Sequence, residues 1–158
     1  MANATLLIVE DNQAQQLVYE QLCEKFDYDV VFCSSGEDAL EALKLVRYAG
    51  IIIDLKLPGM DGVEFVSCAR AMEAGSNTQT PIIALTASLS PEVEKAFRAA
   101  GVCDFMTKPF AIDDFRKMLL RRVYQPHSPN LKLLNKTLDA AVIGSDDEQK
   151  RNERRQTS

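Results

Sequence analysis

The chain has 158 residues, of which 46% are hydrophobic and 26% are charged, and its formal net charge is −5. This size and composition fit one globular domain with a short appendage and exclude a second full domain. Residues 1–123 contain 12 Lys and Arg against 18 Asp and Glu. Nucleic-acid binding depends on Lys and Arg that neutralise phosphates, so this acidic composition predicts no direct nucleic-acid binding.

The sequence lacks signals for membrane insertion, secretion and metal-thiolate chemistry. No stretch reaches the roughly 18 apolar residues of a membrane span, and the N-terminus does not have the pattern of a signal peptide. We therefore expect a cytoplasmic protein. The four cysteines stand far apart without a CxxC pair, and the sequence contains one histidine. This favours reduced, mostly buried thiols over a disulfide framework or a zinc site.

A strand-like run followed by a helical pattern occurs twice at the start of the chain. The apolar run 5–9 precedes a segment in which apolar residues recur at helical spacing up to about Lys25. The β-branched run 28–33 precedes a second such segment, for which Ser34 and Glu37 predict a capping box. These patterns predict two consecutive strand-helix units.

The same alternation continues to the middle and the end of the sequence. The apolar run 50–54 ends on Asp54 and is followed by the turn-rich loop 57–62 and by a helix that begins near Val63. The remaining predicted elements are a strand at 81–86, a helix at 90–101, a strand at 103–106 and a helix at 112–123. Five apolar strands, each followed by a helix, predict an α/β fold: a doubly wound, five-stranded parallel sheet flanked by five helices.

The domain boundaries follow from changes in composition. We expect the globular domain to span residues 1–124. Residues 125–144 have the composition of a linker followed by a possible amphipathic helix, and residues 145–158 form a polar tail that we expect to be disordered. Within the domain, the segment 72–80 is long and polar and predicts an inserted surface loop.

Charged and polar side chains follow the predicted strands, at the sheet edge where doubly wound folds bind ligands. Glu10 and Asp11 follow the first strand, Asp54 the third, Thr86 the fourth and Lys108 the fifth. Any one of these acids alone could be an ordinary loop residue. Together, however, three carboxylates at one edge repel one another unless a cation compensates their charge.

The residue types at this edge suit phosphoryl transfer. Oxygen ligands without histidine or thiolate favour Mg2+ and disfavour zinc. A carboxylate beside Mg2+ can attack phosphorus to form an acyl phosphate, while a hydroxyl and an ammonium group stabilise the transferred oxygens. Asp54, Thr86 and Lys108 provide one group of each kind.

Four segments in this order and context resemble the receiver domains of two-component response regulators. They are VED at 9–11, DLKLPGMDG at 54–62, ALTA at 84–87 and KPF at 108–110. The resemblance covers about residues 4–123. It implies that Asp54 is the phosphoryl acceptor and that Asp11, Asp54 and the backbone carbonyl of Lys56 bind Mg2+ or Mn2+, with Glu10 contacting the ion mainly through water.

The resemblance also assigns roles to the other segments. Thr86 and Lys108 would each contact a phosphoryl oxygen, and the bond between Lys108 and Pro109 would be cis. Thr86 and Phe105 would form the conformational switch. The two positions that would tune dephosphorylation are Lys56 and Ser88.

The resemblance implies partners and leaves several alternatives open. The phosphoryl donor would be a sensor histidine kinase or a histidine phosphotransfer protein, and the output a downstream protein or a self-dimer. No separate turnover reaction is expected. Because Met1 lies just before the first strand, we expect a single-domain response regulator rather than a module of a hybrid sensor kinase. A receiver-like interaction module without phosphorylation is a further alternative, although the complete residue set argues against it.

Two other classes of function fit less well. Phosphatases that use an aspartyl phosphate commonly place a second acid two residues after the nucleophile, where this sequence has Lys56. A flavin-binding electron carrier needs a hydroxyl- and glycine-rich phosphate loop after the first strand. Here the acidic residues Glu10 and Asp11 would repel phosphate without a metal ion.

Overall fold

The computed structural model describes residues 3–57, 59–72 and 77–123. Strands and helices alternate along this part of the chain, five of each. The strands are β1 (Ala4–Val9), β2 (Tyr28–Cys33), β3 (Gly50–Asp54), β4 (Ile82–Thr86) and β5 (Asp104–Thr107). The helices are α1 (Gln13–Lys25), α2 (Gly36–Leu45), α3 (Gly62–Arg70), α4 (Pro91–Ala100) and α5 (Ile112–Arg122). The predicted linker helix at 125–144 and the predicted tail at 145–158 lie outside the described residues.

The strands form one parallel sheet in the order β2-β1-β3-β4-β5. The chain therefore moves outward in one direction from β1 to β2, and in the other direction from β3 to β5. Val9 pairs with Cys33 on one side and with Ile53 on the other, so the three strands end at the same edge. This is the predicted doubly wound sheet, and its switch point lies between β1 and β3.

Helices cover both faces of the sheet and bury two hydrophobic clusters. The first cluster packs α1 and α5 against one face and includes Ile8 and Ile52. The second packs α2, α3 and α4 against the other face and includes Val9 and Ile53. Residues 6–9 of β1 and 51–53 of β3 alternate between the two clusters and are at most 1% exposed. Burial on both faces explains why these strands read as continuous apolar runs.

Side chains at the helix starts fix where the first helical turns begin, and one of them corrects the sequence prediction. The N-cap of α2 is Ser35, whose Oγ accepts a hydrogen bond from the Asp38 amide at 3.2 Å. The predicted capping box of Ser34 and Glu37 is therefore wrong by one residue. Since the first helical residue is Gly36, Ser35 occupies the N-cap position, from which its hydroxyl group reaches the Asp38 amide.

Three further expectations are adjusted by the structure. The strand β4 begins at Ile82 because Pro81 has no N–H to donate to the ladder, and β5 begins at Asp104. The cysteines are free as predicted, but Cys23 alone is buried and Cys68 is exposed.

No helix in the described ranges is long and apolar enough to cross a membrane.

The expectation of a surface loop at 72–80 is wrong for Asn77 and Thr80, which are buried. Residues 73–76 lie outside the described part. Asn77 and Thr80 are only 1% and 5% exposed. Because their partners include the backbone of residues before β3, Asn77 and Thr80 are anchored inside the domain instead of lying on its surface.

Candidate functional site

The last residue of β3, Asp54, lies at the centre of the site and is 9% exposed. Its Oδ1 accepts a hydrogen bond from the Lys56 amide at 3.0 Å, and its Oδ2 forms an ion pair with the Lys108 ammonium group. The Lys108 amide donates to the Thr86 carbonyl at 2.7 Å, which holds this lysine at the end of β4. The peptide bond between Lys108 and Pro109 is cis.

Glu10, the residue after β1, is 3% exposed and is held at several points. Its amide donates to the Cys33 carbonyl at 2.9 Å, and its Oε1 accepts from the Asn12 amide at 3.1 Å. Its Oε2 is buried and accepts no hydrogen bond from the residues that the structure describes. A buried carboxylate oxygen without a partner is costly, so this atom is suited to an exchangeable ligand.

The two neighbouring carboxyl groups have opposite pKa shifts. Burial raises the pKa of Glu10 to about 7, and the adjacent Asp54 carboxylate adds to this shift. Burial alone would raise the pKa of Asp54 as well, but hydrogen bonds from Lys108, from the Lys56 amide and from Glu10 lower it below its usual value. Without a cation, Glu10 can therefore keep a proton near neutral pH and donate a hydrogen bond to Asp54, and a cation could replace that proton.

Thr86, the last residue of β4, is 7% exposed, and its hydroxyl group forms hydrogen bonds within its own loop. Its Oγ1 donates to the Ser88 carbonyl at 2.6 Å and accepts from the Ser88 amide at 3.1 Å. The Ser88 side chain is exposed. The hydroxyl is thus at the same edge of the sheet as Asp54, with its proton committed to a backbone carbonyl.

Phe105, in β5, is half-buried and packs towards α4. Its ring meets the Phe97 ring edge to face at 6.4 Å between centroids, and Arg98 Cζ lies 5.0 Å from the centroid of the Phe105 ring. Arg98 is in turn paired with Glu94 at 3.0 Å. The side chain therefore contacts helix residues rather than the carboxylates.

The structure brings together Glu10, Asp54 and Lys108, with Thr86 joined to them through the backbone. Asp11 is exposed beside Glu10, and Lys56 contributes its amide while its side chain is exposed. Among the residues that the structure describes, no three His, Cys, Asp or Glu side chains form a ready metal-binding cluster. A divalent cation nevertheless fits here, because one buried Glu10 oxygen accepts no hydrogen bond from the described residues and because all the candidate ligands are oxygen atoms.

With this geometry established, comparison with known proteins identifies the family. The model of the response regulator receiver domain matches residues 6–120. This chain belongs to the response regulator receiver domain family. Receiver domains are signalling modules of two-component systems, and the predicted resemblance and fold are confirmed.

The related proteins include other receivers of known sequence and structure. The sensory/regulatory protein RpfC of Xanthomonas campestris pv. campestris is 33% identical over 66% of this chain, which corresponds to 14% of RpfC. The transcriptional regulatory protein HprR of Escherichia coli is 31% identical over 89% of this chain and 59% of HprR. This receiver thus spans a small part of RpfC and under two thirds of HprR.

A solved structure supports the presence of magnesium in such a cleft. The receiver domain of the sensor histidine kinase PA1611 from Pseudomonas aeruginosa PAO1 has a TM-score of 0.70 and is 32% identical. The match covers 77% of this chain and 98% of that domain. It was crystallised with a magnesium ion coordinated in the active-site cleft.

Two residues that shape the site were missed by the sequence analysis. Asn12 caps α1 by accepting from the amides of Ala14 and Gln15, and its own amide holds Glu10. An Asn directly before a helical pattern is a recognisable N-cap signal. Gln16 donates its side-chain amide to the Glu10 carbonyl at 2.6 Å, and nothing in the local sequence indicates this contact.

Proposed function

We propose that this receiver accepts a phosphoryl group on Asp54 from a sensor histidine kinase or a histidine phosphotransfer protein, with Mg2+ or Mn2+ bound beside it. The observation that carries the proposal is a pair of buried carboxyl groups in contact. Glu10 has a raised pKa and a buried oxygen that accepts no hydrogen bond from the described residues, and Asp54 remains ionised next to it because Lys108 pairs with it. Without a cation such a pair can hold a proton that a metal ion would replace, and this suits a metal-assisted nucleophile.

The residues that would hold the cation all supply oxygen atoms. They are Glu10, Asp11, Asp54 and the backbone carbonyl of Lys56. When bound, the cation would offset the negative charge of the carboxylates and of the incoming phosphoryl oxygens. Carboxylate and carbonyl oxygens are the ligands that Mg2+ and Mn2+ prefer.

The transfer step exchanges one bond to phosphorus for another. An Asp54 oxygen forms a bond to phosphorus while the bond from phosphorus to the donor histidine nitrogen breaks, and the electron pair of that bond returns to the imidazole. Lys108 would then pair with a phosphoryl oxygen instead of Asp54. Thr86 would redirect its hydroxyl proton from the Ser88 carbonyl to another phosphoryl oxygen.

The same contacts suggest how the signal leaves the site. Movement of Thr86 towards the phosphoryl group would free space beside β5, and Phe105 would leave its contacts on α4 and turn inward. Lys56 and Ser88, both exposed next to the acceptor, would control the access of water and so the lifetime of the acyl phosphate. The receiver would promote its own phosphorylation and hydrolysis without a separate turnover reaction.

A groove beside the acceptor offers a surface for the phosphodonor protein. It has a volume of about 630 Å³ and lies between α1 and the loop before α5, with Lys108 and Phe110 in its wall. Val18 and Ile112 line it and are 50% and 51% exposed. We infer that a donor helix packs here, because a histidine on it could then reach Asp54. Val18→Asp should slow labelling by a phosphorylated histidine kinase but not by acetyl phosphate, whereas Leu45→Asp, at an 83% exposed position, should slow neither.

Two arrangements of the receiver are compatible with this function. We propose a single-domain response regulator of the cytoplasm that signals by protein contact or by self-association, without direct nucleic-acid binding. The receiver domain of the sensor histidine kinase PA1611 supports the alternative of a module within a hybrid sensor kinase. Immunoblotting of native cells distinguishes them, because the single-domain protein should run near 17.6 kDa. A much larger band as the sole product would support the hybrid arrangement.

The function itself is tested by intact-mass measurement after incubation with acetyl phosphate and Mg2+. Wild type should gain one phosphoryl group, and Asp54→Asn should gain none. Asp61→Asn is the matched control, since it makes the same chemical change at an exposed helix cap. Addition of EDTA should abolish the gain. Equal labelling of wild type and Asp54→Asn would overturn the assignment of the acceptor, and no labelling of either would favour an interaction module.

A further inference from the structure

We propose that Gln16 is a positioning residue for the divalent-cation site, acting through the peptide bond that joins Glu10 to Asp11. This inference rests on the proposed function, because it concerns the cation that Glu10, Asp11 and Asp54 would bind. It adds a residue of α1 that does not itself contact the cation. The side-chain amide of Gln16 donates to the Glu10 carbonyl at 2.6 Å.

The Glu10 carbonyl lies where the sheet no longer supplies hydrogen bonds. The Glu10 amide makes the last contact to β2, through the Cys33 carbonyl, and the pairing of β1 with β3 ends at Val9 and Ile53. Beyond these residues the chain must turn into α1. The Gln16 side chain reaches back from the first turns of this helix and supplies the donor that a neighbouring strand would otherwise provide.

The orientation of this carbonyl determines how the two acidic residues are directed. A peptide unit is planar, so fixing its oxygen fixes the plane that connects Glu10 to Asp11. The Glu10 carboxylate is held separately by the Asn12 amide. Asp11, by contrast, is exposed, so the direction of its side chain depends on the backbone that Gln16 holds.

The neutral side-chain amide of Gln16 suits the role of holding the Glu10 carbonyl. An amide N–H is a neutral donor, and it can stabilise a carbonyl without placing a further charge near Glu10, Asp11 and Asp54. Groups that orient metal ligands without contacting the metal typically contribute 10-fold to 100-fold to metal affinity. Loss of the Gln16 donor is therefore expected to weaken cation binding while the helix and the core remain formed.

The experiment compares Mg2+ binding by the full chain in three forms, measured by calorimetric titration: wild type, Gln16→Met and Gln15→Met. Methionine preserves the length of glutamine and removes its donor. The control residue, Gln15, is the preceding position on α1, and its exposed side chain lines the neighbouring groove. Gln16→Met should bind Mg2+ about 10-fold more weakly than wild type. Gln15→Met should bind as wild type does.

The outcomes separate this inference from the function on which it rests. Equal Mg2+ affinity of wild type and Gln16→Met would overturn the inference while leaving the proposed cation site intact. Equal weakening in both variants would also overturn it, since the cause would then be a general effect on α1. Absence of Mg2+ binding in wild type would overturn both. Thermal unfolding without Mg2+ completes the test, because a positioning role predicts similar unfolding midpoints for the two variants.

Discussion

Two buried polar side chains at opposite edges of the sheet differ in how completely they are hydrogen-bonded. Asn77, before β4, is 1% exposed: its Oδ1 accepts from the Tyr48 amide and the Thr80 hydroxyl, and its Nδ2 donates to the carbonyls of Leu43 and Val46. Glu10, after β1, is 3% exposed, and within the described part of the chain one of its oxygens accepts no hydrogen bond. A buried polar group with all its hydrogen bonds made contributes to stability. A buried carboxyl group with a hydrogen bond missing lowers stability but can still bind a ligand.

Arg70 extends the stabilising role of the first edge. Its guanidinium group donates to the carbonyls of Thr78, Thr80 and Gly101, so it joins the end of α3 to the segment before β4 and to the turn after α4. None of the three carbonyls that Arg70 contacts has a role in the proposed function. The comparison therefore separates a structural edge from a functional edge of the same sheet.

The largest expected effect on stability is at the structural edge. Asn77→Ala should lower the free energy of unfolding by about 3 kcal/mol, because it leaves the Tyr48 amide and the carbonyls of Leu43 and Val46 buried without partners. Urea denaturation at pH 7 measures this change. The control, Gln79→Ala, alters an exposed neighbour and should change stability by less than about 0.5 kcal/mol. Similar stabilities for the two variants would remove the distinction between the edges.

At the functional edge, removing the buried polar group should stabilise the protein instead of destabilising it. The folded state raises the pKa of Glu10 from 4.5 to about 7, so it binds this proton more tightly than the unfolded chain does. The cation-free protein should therefore lose stability as the pH rises through this interval. Glu10→Gln should remove the loss and raise the free energy of unfolding at pH 8 by about 1 kcal/mol.

Urea denaturation in EDTA at pH 5 and pH 8 tests the effect of Glu10→Gln. The gain in stability should be larger at pH 8 than at pH 5, since the wild-type carboxyl is already protonated at the lower pH. The same variant should bind Mg2+ more weakly. A variant that is less stable than wild type at pH 8 would show that the Glu10 carboxylate contributes to folding, contrary to this account.

The smallest expected effect concerns the contact between Phe105 in β5 and Arg98 in α4. Arg98→Leu should lower the free energy of unfolding by about 0.5 kcal/mol, because it removes one exposed contact of the guanidinium group with the ring. The aromatic signals of Phe105 in NMR spectra should shift at the same time. Lys95→Leu, at an exposed position of α4, should do neither. Unchanged Phe105 signals in both variants would exclude Arg98 as a restraint on this ring.

The fold and the location of the site could be predicted because both follow from strong local patterns. The runs at 50–54 and 81–86 are apolar on both faces, and the topology then requires that Asp54 and Thr86 share an edge. What the sequence could not reveal are contacts between side chains and distant backbone atoms. Asn77 reads as part of a polar loop, and its burial depends on carbonyls about 30 residues away. Gln16 and Arg98 likewise depend on distances that no spacing rule encodes.

The most direct test of the central claim is to locate the phosphoryl group chemically. Protein labelled with acetyl phosphate and Mg2+ is treated with borohydride, which reduces an acyl phosphate to an alcohol, and the resulting peptides are identified by mass spectrometry. We expect homoserine at position 54, with Asp11 and Asp61 unchanged. Reduction at another carboxylate, or none in labelled protein, would contradict the assignment of Asp54 as the phosphoryl acceptor.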